Sequence, residues 1–172
     1  MKNILVIGSI NADMVIYTEK MPQMGETVHG HSFAVNAGGK GANQAVAAAK
    51  LGASVKMIGK VGSDANGAML LDNFRASGVG IDGIDTWSGP CGVAVITVCN
   101  GDNCIILDGG ANDHVDPSQI DAHRDLIQWA DFLIFQLEIP METVLYAAKL
   151  AKSYSKTVVL NPAPIIDIPP QL

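Results

Sequence analysis

The sequence has no run of basic residues. Its 11 Lys and Arg stand against 17 Asp and Glu, giving a formal net charge of −6 and a pI near 5.0. Nucleic-acid binding relies on clustered cations that displace counterions, so this balance excludes a general nucleic-acid binder. Long apolar runs are missing as well. Ile4 to Ile7 follows a single Lys and is too short for a signal-peptide core, and nothing approaches the roughly 20 residues that a membrane helix needs. No membrane association is expected, and a cytoplasmic location is. Cysteine is scarce: Cys91, Cys99 and Cys104 form an odd set without a Cys-x-x-Cys pair. Free thiols are expected, with a Cys99–Cys104 bridge across a hairpin as the alternative. His29 and His31 share a strand face but lack a third ligand at diagnostic spacing, so they read as a surface pair rather than a metal site. The two best-known phosphate loops are also absent, since no GxGxxG follows the first strand and no Ser or Thr follows Lys40.

What is present is apolar and glycine-rich. The hydrophobic share is 48% and the mean hydropathy +0.25, as expected where strands are buried on both faces; apolar surface meant for a partner is the other source. With 172 residues the chain can hold one domain with a substantial core, but not two full ones.

The stretch Ala37 to Gly52, AGGKGANQAVAAAKLG, places a glycine-dense turn before an alanine-rich helix. Gly38, Gly39 and Gly41 lack Cβ atoms, so a ligand can approach bare backbone there. From about Ala42 the residues favour helix, with Ala45, Val46 and Ala49 as an apolar stripe that Ala48 borders and Gly52 as a left-handed stop. The unpaired N–H groups and positive dipole of the first turn suit an oxyanion or a polyol oxygen. Lys40 adds a mobile cation, and Asn43 a side chain that both donates and accepts. The competing reading is a tight turn whose glycines serve packing alone.

Lys2 to Ile7 reads as a central strand. Asn11 and Asp13 follow at i and i+2, which in an extended segment puts an amide and a carboxylate on one face; an Asx turn is the alternative. Met14 to Tyr17 and Thr27 to Val35 alternate polar and apolar residues like exposed strands, while Val93 to Val98 and Ile105 to Leu107 flank an Asn-Gly hairpin signal. Val55 to Ile58 reads as a strand. Gly67 to Ala76 reads as a helix that Asp64 caps and Gly78 ends. Pro117 to Trp129 is expected as one helix capped by Asp116, followed by strand Phe132 to Leu137, helix Met141 to Tyr154 and strand Thr157 to Leu160. This alternation predicts an α/β fold over residues 1–172: a mostly parallel sheet flanked by helices, carrying a small second sheet at about 14–35 and 93–107. Glu138 falls at the carboxyl end of a parallel strand, where open α/β sheets bind ligands, although a charge favouring a helix start is equally consistent.

GSINAD at Gly8 to Asp13 and AGGKGANQA at Ala37 to Ala45 closely resemble the ribokinase branch of the PfkB sugar-kinase family. The likeness continues through PQMGETV, GVAVI, GGAND, QLEIP and NPAP, covering essentially all of this chain but only about the first half of such a kinase. It implies a ribokinase-like fold whose small sheet is a lid over the sugar and commonly the homodimer contact. It also implies phosphorylation of D-ribose at its 5-hydroxyl by ATP, with Mg²⁺ and a monovalent cation such as K⁺. On the matching positions, the resemblance assigns sugar binding to Asn11, Asp13, Gly38, Gly39, Lys40, Gly41, Asn43, Ala94 and Glu138. The family's catalytic Asp, in a later Gly-Ala-Gly-Asp motif, has no counterpart. Asp113 in GGAND follows a lid strand and is not expected to replace it. The nucleotide and cation sites belong to the later half too, so this chain is expected to lack activity alone. Cys91-Gly92 departs from the commoner Thr-Gly at the start of a lid strand. Fructose or adenosine as substrate, and a non-catalytic sugar-binding or dimerising module, are the alternatives; a Rossmann-type nucleotide binder fits poorly.

Overall fold

The computed structural model describes residues 2–172. Its centre is strand β1 (Asn3–Ile7), whose five residues need no alternation because both faces are covered. Leu5 and Ile7 point into one apolar cluster and Val6 into another, and all three are fully buried. β1 pairs in parallel with β4 (Ser54–Gly62) on one side and β8 (Phe132–Phe135) on the other. β5 (Val79–Trp87) and β9 (Thr157–Leu160) extend the sheet outward, giving the order β5-β4-β1-β8-β9.

Helices cover both faces of this sheet. α1 (Lys40–Lys50) and α2 (Ala65–Ala76) bury Ala42, Ala45, Leu70 and Phe74 against Val6, Val55 and Met57. α3 (Pro117–Ala122), α4 (Arg124–Trp129) and α5 (Met141–Ser153) bury Ile120, Ile127, Val144 and Ala147 against Leu5, Ile7 and Phe135. Each such fully buried Leu, Ile or Phe contributes about 1.5–3 kcal/mol of transfer free energy. Gly52 takes φ +91° after α1, and Asp64 caps α2 by accepting from the Gly67 N–H at 3.0 Å.

The second sheet has four strands in the order β3-β2-β6-β7: β2 (Asn11–Thr18), β3 (Gly30–Gly38), β6 (Gly92–Cys99) and β7 (Asp102–Asp108). β2 lies antiparallel to β3 and parallel to β6, and β6 and β7 form a hairpin. Asn100 and Gly101 hold φ 52° and 82°, the left-handed pair that a two-residue turn between right-twisted strands requires.

The structure adds one strand, breaks one expected helix and excludes the alternative of a Cys99–Cys104 bridge, the thiols being free as expected. β5 is a full strand that the sequence reading passed over, because VGIDGIDTW carries Gly80, Asp82, Gly83 and Asp85 and looks like a turn. Gly83 is required there: a Cβ would lie 2.7 Å from the Met57 carbonyl oxygen and from Ile58 Cγ1, where the β4–β5 register shifts. The single helix expected over Pro117 to Trp129 is broken at His123, which leaves helical geometry (φ −114°, ψ 31°) and places Nε2 3.2 Å from Asp85 Oδ1 on β5. Cys99 and Cys104 are not opposite each other. The register pairs Cys104 with Thr97 and Cys99 with Asp102, and all three thiols are free. Tyr17 packs its ring 6.3 Å from His31, and among the described residues no three His, Cys, Asp or Glu are placed to hold a metal ion. No described helix is long and apolar enough to cross a membrane.

Candidate functional site

The two sheets meet where β1 runs into β2, and α1 begins against that junction. Gly41 makes the approach possible, since a Cβ there would sit 2.7 Å from the Ser9 nitrogen and 2.8 Å from the Gly8 carbonyl carbon. Gly39, the residue before the helix, holds φ +93° and is likewise pressed against backbone of Ser9 to Asn11.

The first turn of α1 does not offer free N–H groups. Lys40 N–H donates to Glu138 Oε2 at 3.2 Å, Gly41 N–H to Ser9 Oγ at 3.3 Å, and Ala42 N–H to the Ser9 carbonyl at 2.9 Å. The oxyanion expected at this turn is therefore already supplied from within the chain, by the Glu138 carboxylate. Ser9 Oγ also donates to Glu138 Oε2 at 2.6 Å, and Lys40 Nζ lies 3.0 Å from Oε1. Lys40 is thus tethered rather than mobile. Glu138 has a side chain only 9% exposed, and an ammonium, a hydroxyl and a helix N-terminus surround it.

In front of this carboxylate lies a cavity of about 230 Å³. Asn11, Asp13, Gly39, Lys40, Asn43 and Glu138 form its polar wall, and Ala94, Ile96, Ile105 and Leu107 its apolar one. The apolar wall comes from β6 and β7 of the second sheet, in register with β2: Ala94 pairs with both Asp13 and Leu107, and Ile96 with Ile105. Asn11 and Asp13 occupy successive same-face positions of β2, as their i, i+2 spacing requires. Asp13 carries its carboxyl above the usual aspartate range, chiefly through burial and secondly through the charge of Glu138, with Lys40 opposing both.

Of the nine positions singled out in the sequence, seven meet at this cavity. Gly38 and Gly41 stand behind it: a Cβ on Gly38 would strike the Asp13 carboxylate, so its bareness makes room for that side chain, and Gly41 serves helix packing. The sequence reading missed Ser9, although it lies inside GSINAD, because a serine at a strand end carries no signal of its own. Asn112 was missed as well. It sits 102 positions from Ile10 in a 3₁₀ turn, Gly110–His114, yet donates to Asn11 Oδ1 at 2.7 Å. A second cavity of about 320 Å³ adjoins the first through Asn11, Leu107 and Glu138, and Asp113 lines it as an exposed residue of that same turn.

The pattern of the pfkB family carbohydrate kinases matches residues 1–167. The chain belongs to this family. It is 46% identical over 165 residues to the ribokinase of Bacillus subtilis (strain 168), an alignment that takes in 95% of this chain and 56% of that one. Among solved structures, a Thermotoga maritima ribokinase superposes with a TM-score of 0.87 at 34% identity, covering 99% of this chain and 56% of the other. An Arabidopsis thaliana ribokinase complexed with ribose and ATP gives 0.82 at 32% identity, covering 94% and 54%. This pfkB family chain therefore spans about half the length of the relatives it matches.

Proposed function

We propose that the chain is the sugar-binding part of a ribokinase-type enzyme and that its ligand is D-ribose. The observation that carries this reading is the convergence of Asn11, Asp13, Lys40, Asn43 and Glu138 on one cavity backed by an apolar wall. Two carboxylates, two amides and an ammonium can exchange hydrogen bonds with several hydroxyls, while Ile96, Ile105 and Leu107 pack against carbon. The ribokinase relatives, and the Arabidopsis structure named for ribose and ATP, support ribose over fructose or adenosine.

The reaction proposed for the whole enzyme moves the γ-phosphoryl group of ATP to the 5-hydroxyl of ribose. ATP supplies the phosphoryl group, and Mg²⁺ and a monovalent cation would screen its charge. The residues here do not fit those groups: the amides opening α1 are taken, Lys40 is paired, and no metal-holding trio exists among the described residues. The part assigned to this chain is to orient the sugar and exclude water around it. Titration calorimetry with ribose, with and without ATP and Mg²⁺, tests this: binding that ATP leaves unchanged is expected, and failure to bind ribose overturns it. Alone, the chain is expected not to turn over. An ADP-release rate near about 10 per second, ordinary for a kinase, would contradict that.

A second reading, a dimerising role for the small sheet as a lid, draws on one specific feature. Phe33, Val95 and Ile106 are 62%, 45% and 74% exposed on the face of that sheet opposite the cavity, an apolar surface that a second copy could cover. Sedimentation of the purified chain distinguishes a dimer from a monomer.

A further inference from the structure

Asn112 is 2% exposed, and its carboxamide is read on three sides by the start of β2. The Ile10 N–H, which can only donate, lies 2.9 Å from one end, so that end is the oxygen Oδ1. The Ile10 carbonyl, which can only accept, lies 3.2 Å from the other end, so that end is the nitrogen Nδ2. Two backbone groups of fixed chemistry therefore settle the orientation of this amide. The second Nδ2 proton then has one acceptor, Asn11 Oδ1 at 2.7 Å. Gly92 lets the two amides meet, since a Cβ there would fall 2.2 Å from Asn112 Nδ2 and 2.4 Å from Asn11 Oδ1.

With its oxygen committed, Asn11 turns its NH₂ toward the cavity, and among the described residues no protein group accepts from it. Asp13, two residues on and on the same face, presents a carboxylate. A hydroxyl seated between them accepts one hydrogen bond from Asn11 and donates its own proton to Asp13. Were Asn11 reversed, the same hydroxyl would face two acceptors with one proton, and one acceptor would go unpaired.

Resting on the sugar-binding reading above, we propose that Asn112 is a positioning residue that fixes the polarity of the Asn11–Asp13 pair, so that the site selects a hydroxyl which both accepts and donates. Neither an ether oxygen nor a carbonyl meets that requirement.

The test uses ribose and the 172-residue chain. Asn112→Asp keeps the size and the acceptor for Ile10 N–H but removes both amide protons at neutral pH, freeing Asn11 to reverse. Ribose affinity by calorimetry should fall about 10- to 100-fold, the usual consequence of leaving a buried polar group unpaired. In an Asn11→Ala background the same change should cost little more. Equal losses in both backgrounds would make Asn112 a general structural residue and overturn the proposal, as would wild-type affinity in Asn112→Asp. Should that variant not fold, the unaltered chain labelled with ¹⁵N answers instead. On ribose binding the Asn11 side-chain NH₂ signals should shift while those of Asn112 hold still, and unmoved Asn11 signals with ribose bound would overturn the proposal. A wild-type chain that binds no ribose removes the sugar reading and this proposal together, whereas binding with equal losses removes this proposal alone.

Discussion

The two sheets differ in how they hold their apolar residues. In the five-stranded sheet the apolar residues of β1 are enclosed by helices on both faces, and Leu5, Val6 and Ile7 are at 0% exposure. In the four-stranded sheet all seven residues of β7 are exposed, although Ile105, Ile106 and Leu107 are as apolar as anything in β1. Hydrophobic content thus does not decide burial; covering layers do. One sheet is a platform whose geometry is fixed by packing, and the other is held largely by strand pairing and by its root at Asn11 and Gly92. The candidate site lies on the seam, taking Lys40 and Glu138 from the platform edge, and Asp13 and the apolar wall from the lightly covered sheet.

The sharpest way to break this contrast is to cut equivalent apolar groups from each side. Phe135→Ala in the platform should cost about 3–5 kcal/mol in urea unfolding, whereas Ile106→Ala should change stability by about 0.5 kcal/mol or less. Comparable losses would show that β7 is covered in solution, as a dimer would cover it. At the seam, Gly41→Ala should cost about 1–3 kcal/mol, because the added carbon meets backbone atoms of Gly8 and Ser9 that cannot rotate away. If it is silent in thermal melts, α1 does not sit as tightly on the platform as described.

Charge gives two smaller effects of opposite sign. Ser118, the Gln119 N–H and Lys60 hold the Asp116 carboxyl down at about 2, with the Ser118 hydroxyl contributing most. A depressed folded value means that stability is fully present above the unfolded value of about 4 and is lost as pH falls toward 2. Asp116→Asn should flatten that acid limb. Asp13 is the reverse: its carboxyl is raised, foremost by burial, so its charge costs stability once pH exceeds the folded value. Asp13→Asn should raise the melting temperature at neutral pH while weakening ribose binding, and a lowered melting temperature would contradict the geometry. Thiol labelling gives the last and smallest contrast, since it leaves the fold untouched. Cys104 on β7 is exposed and should react first. Cys91 is buried, its thiol pushed up to about 12 by burial and by Asp64, and should react only on unfolding.

Much of this molecule is legible residue by residue. The apolar run of β1, the Asp64 and Asp116 caps, the Asn100-Gly101 turn and the alanine helix opened by glycines each depend on local chemistry, and each forms where the sequence places it. The i, i+2 spacing of Asn11 and Asp13 likewise forces a shared face once the segment is extended. What local chemistry could not supply are the partners. β5 exists because β4 lends it a parallel edge, overriding a glycine- and aspartate-rich composition, and His123 interrupts a helix beside Asp85 on that strand. Ser9 and Glu138, 129 positions apart, close the first turn of α1, and Asn112 orients Asn11 from 101 positions away. The sequence by itself determined most strands and helices of a parallel α/β fold, β5 and the break at His123 excepted, and which residue types could hold a polyol. Tertiary structure alone decided that the helix amides are already satisfied, that Lys40 is tethered and that Asn11 presents donors, because a hydrogen bond between distant residues depends on where the chain brings them, not on what stands beside them in sequence.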